Sequence, residues 1–147
     1  MPETSHVRAR ELVLSLPGSL IREVANSAMG RQDVLPFWFG ESDQPTPAFI
    51  REAAAESLQR GETFYSQNLG RPYLREAVAA YLSRLHARPV AVDRIAVTGS
   101  GVSAIMLAAQ LLLAPGDRVV AVTPLWPNLV EIPRILGANV HLSLIHI

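Results

Sequence analysis

Ser100 stands between two glycines, in Gly99-Ser100-Gly101, where the aliphatic run of residues 94–98 gives way to a helical pattern over residues 102–113. The start of a helix leaves backbone N–H groups unpaired and carries the positive end of the helix dipole, and glycine lets a ligand approach the backbone. Such a turn suits a phosphate, with the Ser100 hydroxyl as a further donor. The same residues equally admit a plainer reading, in which Gly99 and Gly101 only permit a tight strand-to-helix turn. Residues 99–104 also satisfy the G-x-G-x-x-A form of the dinucleotide fingerprint. That fingerprint requires an acid about 20 positions on, at the end of the second strand. Thr123 and Pro124 stand there, and Asp117 opens that strand instead of closing it. A nicotinamide or flavin enzyme is therefore the weaker reading. Trp126 offers a large flat face on which an aromatic ligand could stack, although on local sequence alone a core or anchoring role fits it better.

Other chemistries are excluded by residue type. All thirteen basic residues are Arg, so no step that needs an amine side chain can run on this chain. There is no Cys, which rules out disulfides and thiolate metal sites and is consistent with a reducing compartment. His6, His86, His141 and His146 share no metal-ligand spacing. Ser100 lacks the G-x-S-x-G elbow of a hydrolase nucleophile, because Val102 occupies the final position.

The elements that must position these residues follow from punctuation and periodicity. A polar, irregular arm spans residues 1 to about 16, and Pro17-Gly18-Ser19 opens a short helical pattern through Ile21, Val24, Ala25 and Ala28. Thr46 is placed to cap a helix that begins at Pro47, and Gly61 to end it. Leu74, Ala77, Val78, Tyr81, Leu82 and Leu85 form one apolar stripe of the next helix. Beyond Pro89 the pattern becomes strand–helix–strand: a strand over residues 94–98, a buried helix over 102–113, and a strand over 118–123. Both strands read as near-continuous aliphatic runs, as parallel strands covered on both faces do. A further helix through Leu129, Ile132 and Leu136 ends at Gly137, with Pro133 as a kink or late start.

Thirteen basic residues balance thirteen acidic ones and 49% of residues are hydrophobic, the composition of a globular protein with no charge run to attract nucleic acid. Ten residues, 105–114, form the longest apolar stretch, well short of the roughly 20 that span a bilayer. Neither membrane nor nucleic acid is expected as a partner, no export signal is recognisable, and a cytoplasmic location is expected.

Five elements together carry a family resemblance: Gly40-Glu41-Ser42-Asp43-x3-Pro47, Tyr65-x4-Gly70-x3-Leu74-Arg75, Thr98-x2-Gly101-x2-Ala104, Pro115-Gly116-Asp117 and Pro124-x-Trp126-Pro127-Asn128. In content, order and spacing the series is similar to the fold-type I, pyridoxal-phosphate-dependent aminotransferases of class I/II, over about residues 17–140. The resemblance implies an α/β fold: the N-terminal part of the large, cofactor-binding domain, with a mixed, largely parallel sheet and flanking helices. It implies that Ser100, Gly101 and Val102 hold the phosphate of pyridoxal 5′-phosphate, that Trp126 lies on the cofactor ring, and that Tyr65 reaches the phosphate of a neighbouring subunit, which requires a homodimer. It places Gly40 near the substrate carboxylate. Val102 stands where some relatives have Thr and offers only its backbone N–H, and Leu129 departs from the His that the aspartate-specific branch tends to have. Arg75 falls within the resemblance but is expected to be a surface residue without a catalytic role.

The activity the resemblance implies is transfer of an amino group between an amino acid and a 2-oxo acid. That chemistry runs through a lysine bonded to the cofactor aldehyde, so no catalytic residue is expected in this chain. Lyase reactions on the same scaffold share these motifs, and a cofactor-sensing regulator would need a DNA-binding module that residues 1–16 are too few to form. The expected organisation is an arm (1–16), a partial large domain (17–141) and a tail (142–147). The tail, Leu142-Ser143-Leu144-Ile145-His146-Ile147, is similar letter for letter to a translated mosaic-end oligonucleotide from transposase-based sequencing libraries, and is expected to be non-native.

Overall fold

A computed structural model describes residues 9–144; the first eight residues of the arm and the last three of the tail lie outside the described residues. The chain forms two compact units, one built from Met1–Gly40 with Ser100–Ile147 and the other from Glu41–Gly99.

The first unit holds the sheet. β1 (Arg118–Thr123) and β2 (Asn139–Leu144) pair in parallel, with Arg118 opposite Asn139 and Thr123 opposite Leu144. Between them runs α6 (Asn128–Ile135), which packs on both strands, on α5 (Gly101–Leu112) and on α1 (Glu11–Leu14). Val130 and Ile132 of α6, with Ala121 of β1 and Ala138, form the buried centre. Gly137, at φ +86°, turns α6 into β2, and its amide donates to Arg134. Pro133 lies inside α6, neither delaying its start nor ending it. α1 is a correction to the irregular arm: Arg10 donates to the carbonyl of Ile135 at 3.2 Å, tying it to the end of α6. α2 (Leu20–Ala28) begins where the sequence places it, with the Ser19 hydroxyl accepting from the Arg22 amide at 3.2 Å.

The second unit comprises α3 (Ala48–Gln59), α4 (Pro72–Leu85) and a 3₁₀ turn at Val92–Arg94 against which α4 packs. α3 starts one residue later than expected: Pro47 is the cap itself and no side chain caps the helix. Gly61 ends it at φ +73°, with its amide on Leu58 and that of Glu62 on Ser57.

Four further expectations are corrected. Residues 95–98 form no strand, because no strand among the described residues pairs with them; the Val97 amide donates to the Leu69 carbonyl at 2.9 Å and the Ile95 amide back to Val92 at 3.1 Å. α5 is not buried: none of its residues falls in the core, and Leu111 is 85% exposed. β1 is covered on one face only, leaving Val120 and Val122 exposed. Likewise the apolar stripe of α4 buries only Ala79, while Leu74, Tyr81 and Leu85 remain exposed. Hydrophobic patterning marks faces that want covering; it does not say whether this chain covers them.

Both units expose large apolar side chains, among them Phe64 at 86% in the second and Leu112 at 79% in the first. Produced as an isolated 147-residue polypeptide, it should therefore self-associate and bind an apolar dye such as anilinonaphthalene sulfonate. A sharp monomeric peak on size exclusion, with no dye response, would contradict this.

Candidate cofactor-phosphate site

The first turn of α5 presents the donors that a bound phosphate would need. Ser100 is the cap, with extended backbone at φ −164°, and its hydroxyl oxygen accepts from the Ser103 amide at 3.1 Å. The Ser103 hydroxyl lies 3.0 Å from that of Ser100. The Ala104 amide donates to the Ser100 carbonyl, whereas the amides of Gly101 and Val102 have no acceptor among the described residues. No acidic side chain stands in the first turn. Two amides and two hydroxyls thus converge at the positive end of a 12-residue helix. Ser103 was not singled out from the sequence; its position three residues past a capping serine was the available signal.

Neither Gly99 nor Gly101 has a positive φ, and a Cβ added to either meets nothing within 4 Å. Among the described residues neither the backbone path nor the packing demands glycine there. A ligand resting on the backbone would. Gly40 behaves the same way.

A phosphate ester fits this donor set, so the residues suit pyridoxal 5′-phosphate. The dinucleotide alternative does not gain: β1 ends at Thr123, and the carboxylate of Asp117, before its start, accepts from the Ala114 amide at 2.7 Å and is engaged in the turn.

Trp126, 47% exposed, precedes α6 and lines an open groove of about 1220 Å³ together with residues 17–23, Phe39, Pro127, Asn128 and Glu131. Its ring is thus neither core nor free of neighbours. Within the groove Arg22 lies over the Phe39 ring, 4.8 Å from its centroid. Glu131 accepts from Arg134 through Oε1 at 2.9 Å, while its Oε2 is buried without a partner among the described residues. Gly40 adjoins Phe39 in sequence; Ser100, Gly101 and Val102 are not among the groove's lining residues.

Tyr65, in the second unit, is fully exposed, so its ring has no cover among the described residues. Its loop is nevertheless tied down at Glu62, whose carboxylate accepts from Arg60 at 2.9 Å and from the Ser57 hydroxyl at 2.9 Å, with Arg71 at 3.6 Å. Arg71 also donates to the Glu62 carbonyl at 3.2 Å. The Arg60 hydrogen bond, then that of Ser57, holds the Glu62 carboxyl below the usual carboxylate range. The sign follows: its contribution is fully present above the unfolded value and is lost as pH falls through the lower folded one. Hydrogen exchange of residues 62–70 should accordingly stay slow down to about pH 4 and quicken only below it; quickening near neutrality would rule the clamp out.

Among the described residues no cluster of His, Cys, Asp or Glu could hold a metal, and no helix is long and apolar enough to cross a membrane.

Known proteins resemble this chain in sequence and fold. The family described as aminotransferase class I and II matches residues 32–143. The aspartate aminotransferase of Pyrococcus horikoshii is 34% identical over 129 residues, covering 88% of this chain and 33% of the relative. The aspartate/prephenate aminotransferase of Thermus thermophilus is 35% identical over 108 residues, 74% of this chain and 28% of the relative. Among solved structures, the Thermus thermophilus aspartate aminotransferase with maleate superposes with a TM-score of 0.84 at 31% identity, over 93% of this chain and 37% of that one. The Rhizobium meliloti aspartate aminotransferase gives 0.83 at 27% identity, over 95% and 36%. The chain thus spans about a third of the length of the curated relatives it matches. Members of the family use pyridoxal 5′-phosphate, and the α/β architecture is that of their N-terminal part. The chain belongs to the class I and II aminotransferases.

Proposed function

We propose that this chain is the phosphate-binding opening segment of a longer pyridoxal-phosphate-dependent aminotransferase, which moves an amino group between an amino acid and a 2-oxo acid in the cytoplasm. The observation that carries the reading is the first turn of α5, where two unpaired amides meet the Ser100 and Ser103 hydroxyls beside glycines that the chain itself does not require. When bound, the cofactor supplies an electron sink for charge developing at the substrate α-carbon. In this assignment Ser100, Gly101 and Val102 bind its phosphate, Trp126 orients its ring by stacking, and Gly40 leaves room for the substrate carboxylate. Full exposure of Tyr65 suits a residue that serves a second copy of the chain, so the protein acts as a homodimer. With no lysine, the 147 residues alone do not catalyse transfer.

The test begins at the source gene, read through codon 141 and beyond, because the tail of residues 142–147 is proposed not to be native; residues 142–144 occupy β2 through main-chain pairing. The protein encoded there should contain a lysine, bind pyridoxal 5′-phosphate with its characteristic visible absorption, and lose the phosphate-dependent part of that affinity to competing inorganic phosphate. Binding of a nicotinamide dinucleotide in place of pyridoxal 5′-phosphate would overturn the assignment.

A further inference from the structure

Arg75 corrects the expectation of a surface arginine. It is partly buried near the start of α4, where its Nε donates to the Ile95 carbonyl at 2.8 Å and its Nη2 to the Val92 carbonyl at 2.7 Å. Those bonds fix the 3₁₀ turn on α4. The far end of α4 is pinned as well. Ala87, at φ +49°, turns the chain out of the helix, the Arg88 amide donates to the Ser83 carbonyl at 3.2 Å, and the Val90 amide donates to the Ser83 hydroxyl at 2.9 Å. The end of α4 and the 3₁₀ turn together line a pocket of about 260 Å³ within the second unit. Leu82, Val90 and Ile95 give it apolar walls, and His86, Arg88 and Arg94 line it with basic groups.

No acidic residue lines this pocket, and none of its three basic side chains forms an ion pair among the described residues. A helix C-terminus favours cations, which accounts for His86 at the cap of α4. It does not account for Arg94, which the 3₁₀ turn brings to the same opening. A cleft lined by one sign of charge concentrates ions of the other. The amides of His86, Arg88, Val90 and Arg94 are all bonded within the chain, so an anion there is gripped by side chains. We propose that the pocket is a binding site for a phosphate monoester. Such an ester carries about 1.5–2 negative charges at pH 7 and three terminal oxygens. Two guanidinium forks, each able to donate to two oxygens, match that charge and geometry, whereas one arginine already satisfies a carboxylate. The His86 imidazole offers a ring N–H in either protonation state. The apolar walls favour an organic ester over inorganic phosphate. The inference does not rest on the reading of the α5 turn.

The test titrates phenyl phosphate into the full-length holoenzyme, freed of excess cofactor. Saturable binding is expected, weaker for inorganic phosphate and weaker still for benzoate, which keeps the ring but carries a single charge. Arg88→Gln and Arg94→Gln should each lower the affinity for phenyl phosphate about tenfold. Arg51→Gln, in α3 and outside the pocket, should change nothing. All three side chains are exposed, so the substitutions leave the packing intact. In the wild-type protein, hydrogen exchange of residues 82–95 should slow when phenyl phosphate is added. No saturable binding, equal affinity for phenyl phosphate and inorganic phosphate, wild-type affinity in both pocket variants, or unchanged exchange over residues 82–95 overturns the inference. A protein that takes up no pyridoxal 5′-phosphate but binds phenyl phosphate through Arg88 and Arg94 overturns the functional reading and upholds this one.

Discussion

In the full-length protein, Gly101→Asp should abolish binding of pyridoxal 5′-phosphate while leaving the fold intact or slightly firmer. The added Cβ meets nothing within 4 Å and the backbone there is not left-handed, so the substitution introduces no clash or strain. A carboxylate at the first position of α5 faces the positive end of the helix dipole, which stabilises by about 0.3–1 kcal/mol. Towards a bound phosphate the same carboxylate is a like charge within a few ångströms, in the place of the two free amides. At an effective dielectric near 20 the repulsion amounts to about 4 kcal/mol, so a loss of at least about a hundredfold in affinity is expected. Gly101→Asn carries nearly the same volume without charge and should lose far less. Melting temperature and cofactor affinity should therefore move independently or in opposite directions. If Gly101→Asp binds the cofactor as wild type does, the phosphate does not sit on α5.

Local features of this fold were legible because their causes are local. β1 has the bounds that its aliphatic run and the Pro115-Gly116-Asp117 turn dictate, α2 starts at the Ser19 cap, and Gly137 turns the chain after α6. The expectations that failed depend on partners remote in sequence. Residues 95–98 have the composition of a strand, but a strand exists only opposite another. The apolar α5 reads as buried because hydrophobicity records what a surface needs, not whether covering residues are present. The start of α5 was readable from its glycines and Ser100, since a helix start followed by small residues is a local pattern; the Ser103 hydroxyl was missed beside it because its place depends on how the cap closes. Arg75 was misread for the opposite reason. A helical arginine looks solvated until the carbonyls of Val92 and Ile95, 17 and 20 residues away, are folded onto it.

Gly70 offers the sharpest test of the packing that holds this region. It has φ +99°, and a Cβ there would lie 2.7 Å from Val97 Cβ and 2.8 Å from Val97 Cγ2. Gly70→Ala thus incurs two costs, about 1–2 kcal/mol for an alanine in a left-handed backbone and about 1–3 kcal/mol for forcing Val97 aside. A loss of about 2–5 kcal/mol, read from urea midpoints of the full-length protein, approaches the whole stability of many domains. Gly61 separates the two terms, because it shares the positive φ, +73°, but has open space where its Cβ would be. Gly61→Ala should show the backbone cost alone. A double-mutant cycle isolates the contact. Combining Gly70→Ala with Val97→Ala removes Cγ2 but leaves the Cβ at 2.7 Å, so little is recovered; only Val97→Gly clears the site and should recover the packing part while the φ part remains. Equal costs at Gly61 and Gly70 would mean that Val97 does not press on this loop. The Leu69–Val97 hydrogen bond would then remain as a tie between the Tyr65 loop and residues 95–98.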